Sequence, residues 1–172
     1  MDISIVCGNP KPQSRTMHAA QELARSIAGV PPRNSIELSE ISKDLFDYSS
    51  SVVREVKALV AQSDVLIVAT PTYKASFTGL LKAFLDNYAA GELAGTFAIP
   101  FMTIGSDKHF LAAETQLRPV LVELGASVPT AAFSLNTEAP SGLDDAITAW
   151  VDQNRLGIKA FELCSAAPGG GI

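Results

Sequence analysis

Along this chain the spacing of apolar residues alternates between strand-like runs and helical stripes. Ile3 to Val6 is a short β-branched run. After Ser14, the residues Met17, Ala20, Leu23, Ala24 and Ile27 recur on one helical face, and Gly29 stops the pattern. Ile36 and Leu38 predict a short second strand, and Val52, Val53, Val56, Leu59 and Val60 predict a second amphipathic helix. Asp64 to Ala69 is apolar almost throughout, as expected of a strand covered on both faces. A loop, TPTYKASFTG, opens a third helix from Phe77 to Ala90, and Thr96 to Ile104 reads as a fourth strand followed by the loop Gly105 to Lys108. A fourth helix is expected from His109 to Leu124, closed by Gly125, with Pro119 predicting a kink or break. Val128 to Leu135 supplies a fifth strand and Leu143 to Leu163 a last helix.

Strands alternating with helices imply a parallel sheet covered on both sides, an α/β three-layer sandwich. Ligands in such folds bind beyond the carboxyl ends of the strands, where strand order reverses. That rule selects three loops: Cys7 to Thr16, Thr70 to Thr78, and Gly105 to Lys108. With 172 residues, the reading is one domain over 1–164 followed by a disordered tail over 165–172.

Composition narrows the function classes. A hydrophobic fraction of 47% against 18% charged residues excludes a disordered chain. The net charge of −5, with no cluster of Lys or Arg, argues against nucleic acid or an anionic membrane as partner. No apolar run is long enough to span a bilayer and no leader-like segment opens the chain, so a soluble cytoplasmic protein is expected. Cys7 and Cys164 match no metal or redox spacing, and neither do His18 and His109, so no metal site is expected. No G-x-S-x-G elbow is present, and no catalytic side chain is assigned.

The first loop, GNPKPQSRT, has the small and polar residues of an anion cradle but neither a P-loop's closing Gly-Lys-Ser/Thr nor the three-glycine dinucleotide fingerprint. Ser14, Arg15 and Thr16 stand where a loop enters a helix, so their amides and hydroxyls can converge on a phosphomonoester at the positive end of the helix dipole. The same residues are equally compatible with Ser14 as a plain N-cap and Arg15 as a solvated charge. The second loop places Pro71, Thr72, Tyr73, Lys74, Ala75 and Ser76 at the mouth of the central strand, which suits a planar ligand lying edge-on to the backbone.

Two segments then carry a resemblance. ATPTYKASFTGLLKAFLD is similar to the Thr-Pro-x-Tyr loop, Gly-x-x-Lys and Asp of the NADPH-dependent FMN reductase family, and GNPKPQSRT resembles that family's Gly-Ser-Pro loop ending in Ser-Arg-Thr. IGSDKHFLAAETQLRPVLVELGA resembles the loop and helix after the family's fourth strand, so that the likeness spans residues 1 to about 135. The resemblance implies a flavodoxin-like fold. It also implies that Ser14, Arg15 and Thr16 bind the FMN phosphate, that Pro71 to Ser76 run along the ring and ribityl chain, and that Gly105 and Ser106 border the ring.

The implied activity is hydride transfer from NADPH or NADH to flavin N5. The product would either supply reduced FMN to a partner monooxygenase or, through retained FMN, reduce quinone-like acceptors. The alternative is a flavodoxin-type electron carrier that does not oxidise nicotinamide. Lys82 and Asp86 match a pair that the family uses across a subunit interface, which implies a homodimer or homotetramer through Gly79 to Ala90. The same spacing also fits an i, i+4 ion pair on one helix. Apolar residues on more than one face of that helix add to the expectation of a partner subunit. Two positions depart from the family pattern: Asn9 stands where the family usually has Ser, and Thr115 stands where reductases serving alkanesulfonate monooxygenases carry an inserted Tyr.

Overall fold

Five parallel strands, β1 (Ile3–Cys7), β2 (Asn34–Glu37), β3 (Val65–Pro71), β4 (Phe97–Ile104) and β5 (Phe133–Asn136), form one sheet in the order β2-β1-β3-β4-β5 in a computed structural model of the chain. Residues 1–139 and 142–165 are described. The proposed tail lies outside them except for Ser165, whose backbone closes the last helix. The order 2-1-3-4-5 is that of flavodoxin-like sheets, whose direction reverses between β1 and β3.

Strand residues alternate between two apolar layers. Ile5, Cys7, Ile67, Ala69 and Phe101 pack against α1 (Arg15–Ala28), α5 (Leu143–Gln153) and α6 (Arg155–Ser165), where Leu23, Trp150 and Phe161 meet them. Val6, Val68 and Met102 face α2 (Ser51–Ala61), α3 (Gly79–Leu85) and α4 (Arg118–Glu123), meeting Val60, Phe84 and Leu121. Burying each Val, Leu, Ile, Phe or Met side chain among them contributes about 1.5–3 kcal/mol, which is why β1, β3 and β4 tolerate so few polar residues.

Four elements differ from expectation, each for a local reason. The third helix stops at Leu85 instead of Ala90: the Asn87 amide donates to the Ala83 carbonyl (2.8 Å) and the Leu45 carbonyl (3.0 Å), a side chain replacing the next helical bond. The segment after β4 is not one helix. A three-residue turn over Asp107–His109 and a wide π turn over Ala113–Leu117 precede α4. Pro119 has no N–H for the Thr115 carbonyl, and its ring would strike that carbonyl in a regular helix; the wider turn accommodates both.

The fifth strand begins at Phe133, not Val128, because Arg118 donates to the Val128 carbonyl (2.7 Å) and the Thr130 carbonyl, while Glu114 and Asn154 accept from the Ala132 and Ala131 amides. The last helix is interrupted at Asn154, whose buried side chain bridges the Ala131 amide and the Trp150 carbonyl. Among the described residues no helix is long and apolar enough to cross a membrane.

Candidate functional site

The carboxyl ends of β1, β3, β4 and β5 surround a cleft of about 500 Å³, within the range of small-molecule sites. Its polar end is built by the β1–α1 loop. Ser14 caps α1, its hydroxyl accepting from the Met17 amide (3.2 Å), and the first intrahelical bond is His18 N–H to the Ser14 carbonyl. The Arg15 and Thr16 amides precede that bond, and no helical carbonyl can reach them. The buried Thr16 hydroxyl shares a hydrogen bond with the Thr103 hydroxyl (2.7 Å) and accepts from the Asn9 amide (3.2 Å). Ser14 is therefore a cap, and its buried hydroxyl also lies 3.9 Å from Cys7 Sγ, a weak second partner.

Gly8 is where this loop packs against α3. A Cβ there would lie 2.5 Å from Leu81 Cβ, and the Gly8 carbonyl accepts from the Thr78 hydroxyl (2.6 Å), so the loop rests directly on the start of α3. Thr78 also caps α3 by accepting from the Leu81 amide (3.1 Å). One threonine thus joins the first two cleft loops. Beneath them, burial pushes the Cys7 thiol up to about 11, which leaves it protonated and inert at neutral pH.

The second loop makes a tight reversal. Tyr73 N–H donates to the Ser76 carbonyl (2.9 Å) and Ser76 N–H to the Tyr73 carbonyl (3.2 Å), with Lys74 (φ 52°) and Ala75 (φ 66°) both left-handed between them. Two successive non-glycine residues with positive φ define a type I′-like turn without the glycine such turns favour. Strain of about 1–3 kcal/mol per residue is typical of ligand clamps, where the surroundings over-determine the backbone.

Of the residues singled out from sequence, Ser14, Arg15, Thr16, Pro71, Thr72, Tyr73 and Gly105 line the cleft. Lys74, Ala75, Ser76 and Ser106 do not. The first three form and close the reversal that carries Tyr73, and the Ser106 hydroxyl accepts from the Lys108 amide (3.4 Å) to start the turn after β4. His109 ends that turn outside the cleft. Sequence reasoning did not assign Asn9, Lys11, Gln13, Thr103, Ile104, Thr137 and Glu138 to the site. The rule that picked the ends of β1, β3 and β4 also applies to β5, and it would have found Thr137 and Glu138. Glu138 meets Arg15 at 3.6 Å across the mouth of the cleft.

The donor set divides by chemistry. Amides, two hydroxyls and the Arg15 cation converge at the helix end, which suits a phosphate. Pro71, Tyr73, Ile104 and Gly105 supply flat, largely apolar walls at the other end, which suits a planar ring.

A family model for NADPH-dependent FMN reductase matches residues 1–140. An "FMN reductase (NADPH)" of Pseudomonas putida is 47% identical over 79 residues, covering 46% of this chain and 40% of that protein. The "NADH-dependent FMN reductase SfnF" of Pseudomonas fluorescens is 35% identical over 115 residues, covering 62% of this chain and 61% of the relative. The alignments thus cover less than two thirds of the length of these curated relatives. The apo crystal structure of an NADH:FMN oxidoreductase is similar with a TM-score of 0.80 and 32% identity, over 98% of this chain and 91% of that one. With the family match running through all five strands and the cleft loops between them, this chain belongs to the NADPH-dependent FMN reductase family.

Proposed function

We propose that the protein is an NAD(P)H-dependent FMN reductase whose cleft holds FMN with its phosphate at Ser14, Arg15 and Thr16 and its ring along Pro71 to Tyr73 and Gly105. The observation that carries this reading is the division of the cleft into an amide-and-hydroxyl end at α1 and a flat end at the strained Tyr73–Ser76 turn. When bound, FMN supplies a ring that accepts hydride from a reduced nicotinamide at N5. The chain's part is binding and orientation. The amides of the first helical turn fix one end of the ligand, and the Tyr73 turn holds the other against the carboxyl end of β3, so that a second ring can approach in register. No proton donor or nucleophile from the chain is needed.

Two finer points belong to the same proposal. Electrons leave either as reduced FMN delivered to a partner monooxygenase or through retained FMN to a quinone-like acceptor. Assembly runs through α3 and α4, where Lys82, Asp86, Val120 and Glu123 border a shallow groove. Of the apolar residues expected to favour an interface, Leu81, Phe84, Leu85 and Tyr88 are buried within the chain and Leu80 is half-buried, so the apolar surface left for a partner is small. Lys82 and Asp86 are exposed and pair on the same helix, which leaves both charges at the groove. Asp86→Lys should lower the solution mass if the groove is an interface.

An anaerobic titration of FMN-loaded protein with NADPH and then NADH tests the activity. Rapid stoichiometric bleaching of the flavin absorbance is expected. Binding of FMN without bleaching would replace the reading with an electron carrier, and failure to bind FMN would remove it.

A further inference from the structure

Glu37, at the carboxyl end of β2, was not selected by any sequence motif. It pairs in register with Cys7 at the end of β1, which sets it beside the loop that enters α1. One carboxylate oxygen accepts the Gln13 amide (2.8 Å), and Gln13 is held there with a left-handed backbone (φ 50°) immediately before the cap residue Ser14. The other oxygen is buried without a hydrogen-bond partner. No Lys, Arg or His forms an ion pair with Glu37 among the described residues; the exposed Arg15 guanidinium lies 3.6 Å from Glu138 instead.

An acidic side chain with no cationic partner thus stands beside the loop that enters α1, next to the helix end where the anion is to bind. Its two effects oppose each other. The hydrogen bond fixes the loop so that the next amides face the cleft, whereas the charge offsets the helix field and repels a phosphate dianion. A neutral amide would give the first effect without the second.

We propose that Glu37 is a positioning residue that holds the phosphate loop open for FMN while its charge keeps the flavin loosely bound, so that FMN exchanges as a substrate. This inference rests on the phosphate reading given above. It bears on the choice between released and retained flavin, and favours release.

The test is titration of FMN and of riboflavin into the wild type, Glu37→Gln and Glu37→Leu, read by quenching of flavin fluorescence, with FMN dissociation rates from rapid dilution. Glu37→Gln keeps an acceptor for Gln13 and loses the charge, so FMN should bind about 3–10 times more tightly and leave correspondingly more slowly, with riboflavin unchanged. Glu37→Leu loses the acceptor as well and should bind FMN more weakly than Glu37→Gln. A purely structural role for Glu37 cannot give tighter binding on substitution. An unchanged ratio of FMN to riboflavin affinity in Glu37→Gln would overturn the proposal, and so would loss of riboflavin binding, since the retained acceptor should preserve the loop. If the wild type itself shows no preference for FMN over riboflavin, the phosphate reading fails first, and that is visible before any variant is made.

Discussion

The hydroxyls of Thr16 and Thr103 lie 2.7 Å apart and share a hydrogen bond although 87 residues separate them in sequence. Both are buried and both line the cleft, so the bond ties the first turn of α1 to the end of β4 at the point where the Arg15 and Thr16 amides, free of helical partners, emerge. Thr16→Val keeps the shape and removes the hydroxyl, leaving the Thr103 hydroxyl without that partner. FMN affinity should fall about tenfold or more, with riboflavin affected less, because one hydrogen bond to a charged phosphate contributes roughly 1.5–3 kcal/mol. Equal losses for the two flavins in the same titration would mean that Thr16 shapes the cleft without touching phosphate.

Gly8 offers a second, steric test. The Cβ of Gly8→Ala would meet Leu81 Cβ at 2.5 Å and Leu81 Cα at 3.2 Å, neither of which is the end of a flexible side chain. Either the loop lifts from α3, breaking the bond from the Thr78 hydroxyl, or the helix moves. Overpacking of this kind costs about 1–3 kcal/mol. The midpoint of chemical denaturation should drop accordingly and FMN binding should weaken with it. An unchanged midpoint would show that the loop slides freely.

The reversal at Tyr73 predicts a gain of stability. Lys74 and Ala75 both occupy left-handed backbone, and Asn-Gly is the pair such a turn prefers. Lys74→Asn with Ala75→Gly should raise the unfolding midpoint, by about 1 kcal/mol in stability, because left-handed strain in two residues exceeds the entropic cost of one glycine. Neither residue lines the cleft, so FMN affinity should hold if the turn keeps its shape. A lower midpoint would locate the strain elsewhere.

How much of this was legible in the chain depended on where each segment's hydrogen bonds go. β1, β3 and β4 announce themselves because they are covered on both faces and read as continuous apolar runs. The loop entering α1 was legible for the same kind of local reason: Ser14 does cap the helix. Residues 128–132 read equally well as strand, yet Arg118, Glu114 and Asn154 capture their carbonyls and amides from 10 to 23 residues away, and no local pattern encodes that. Thr103 was invisible as a site residue because it sits inside an apolar run, and Lys74-Ala75 carries none of the chemistry by which turns are recognised.

Glu114 connects these non-local contacts and gives a pH dependence. Its carboxylate accepts from Arg118 and from the Ala132 amide (2.8 Å), so it pins the π turn to the segment that leads into β5. Partial burial pushes its pKa up, but the hydrogen bonds from Arg118 and Ala132 and the Arg118 charge together pull it below the ordinary 4.5. A carboxylate whose folded pKa lies below its unfolded one contributes stability that is fully present above the unfolded value and is lost as pH falls through the folded value. Glu114→Gln cannot titrate and cannot pair as an ion with Arg118, so it should be less stable than the wild type at neutral pH. The gap between the two unfolding midpoints should stay level from about pH 7 to pH 5 and narrow below that, as the wild-type carboxylate takes up its proton. Asp47 and Glu92, also held low by their hydrogen bonds, are present in both proteins and cancel in the difference. A gap that stays constant into acid would show that Glu114 acts only through hydrogen-bond geometry, with no contribution from its charge.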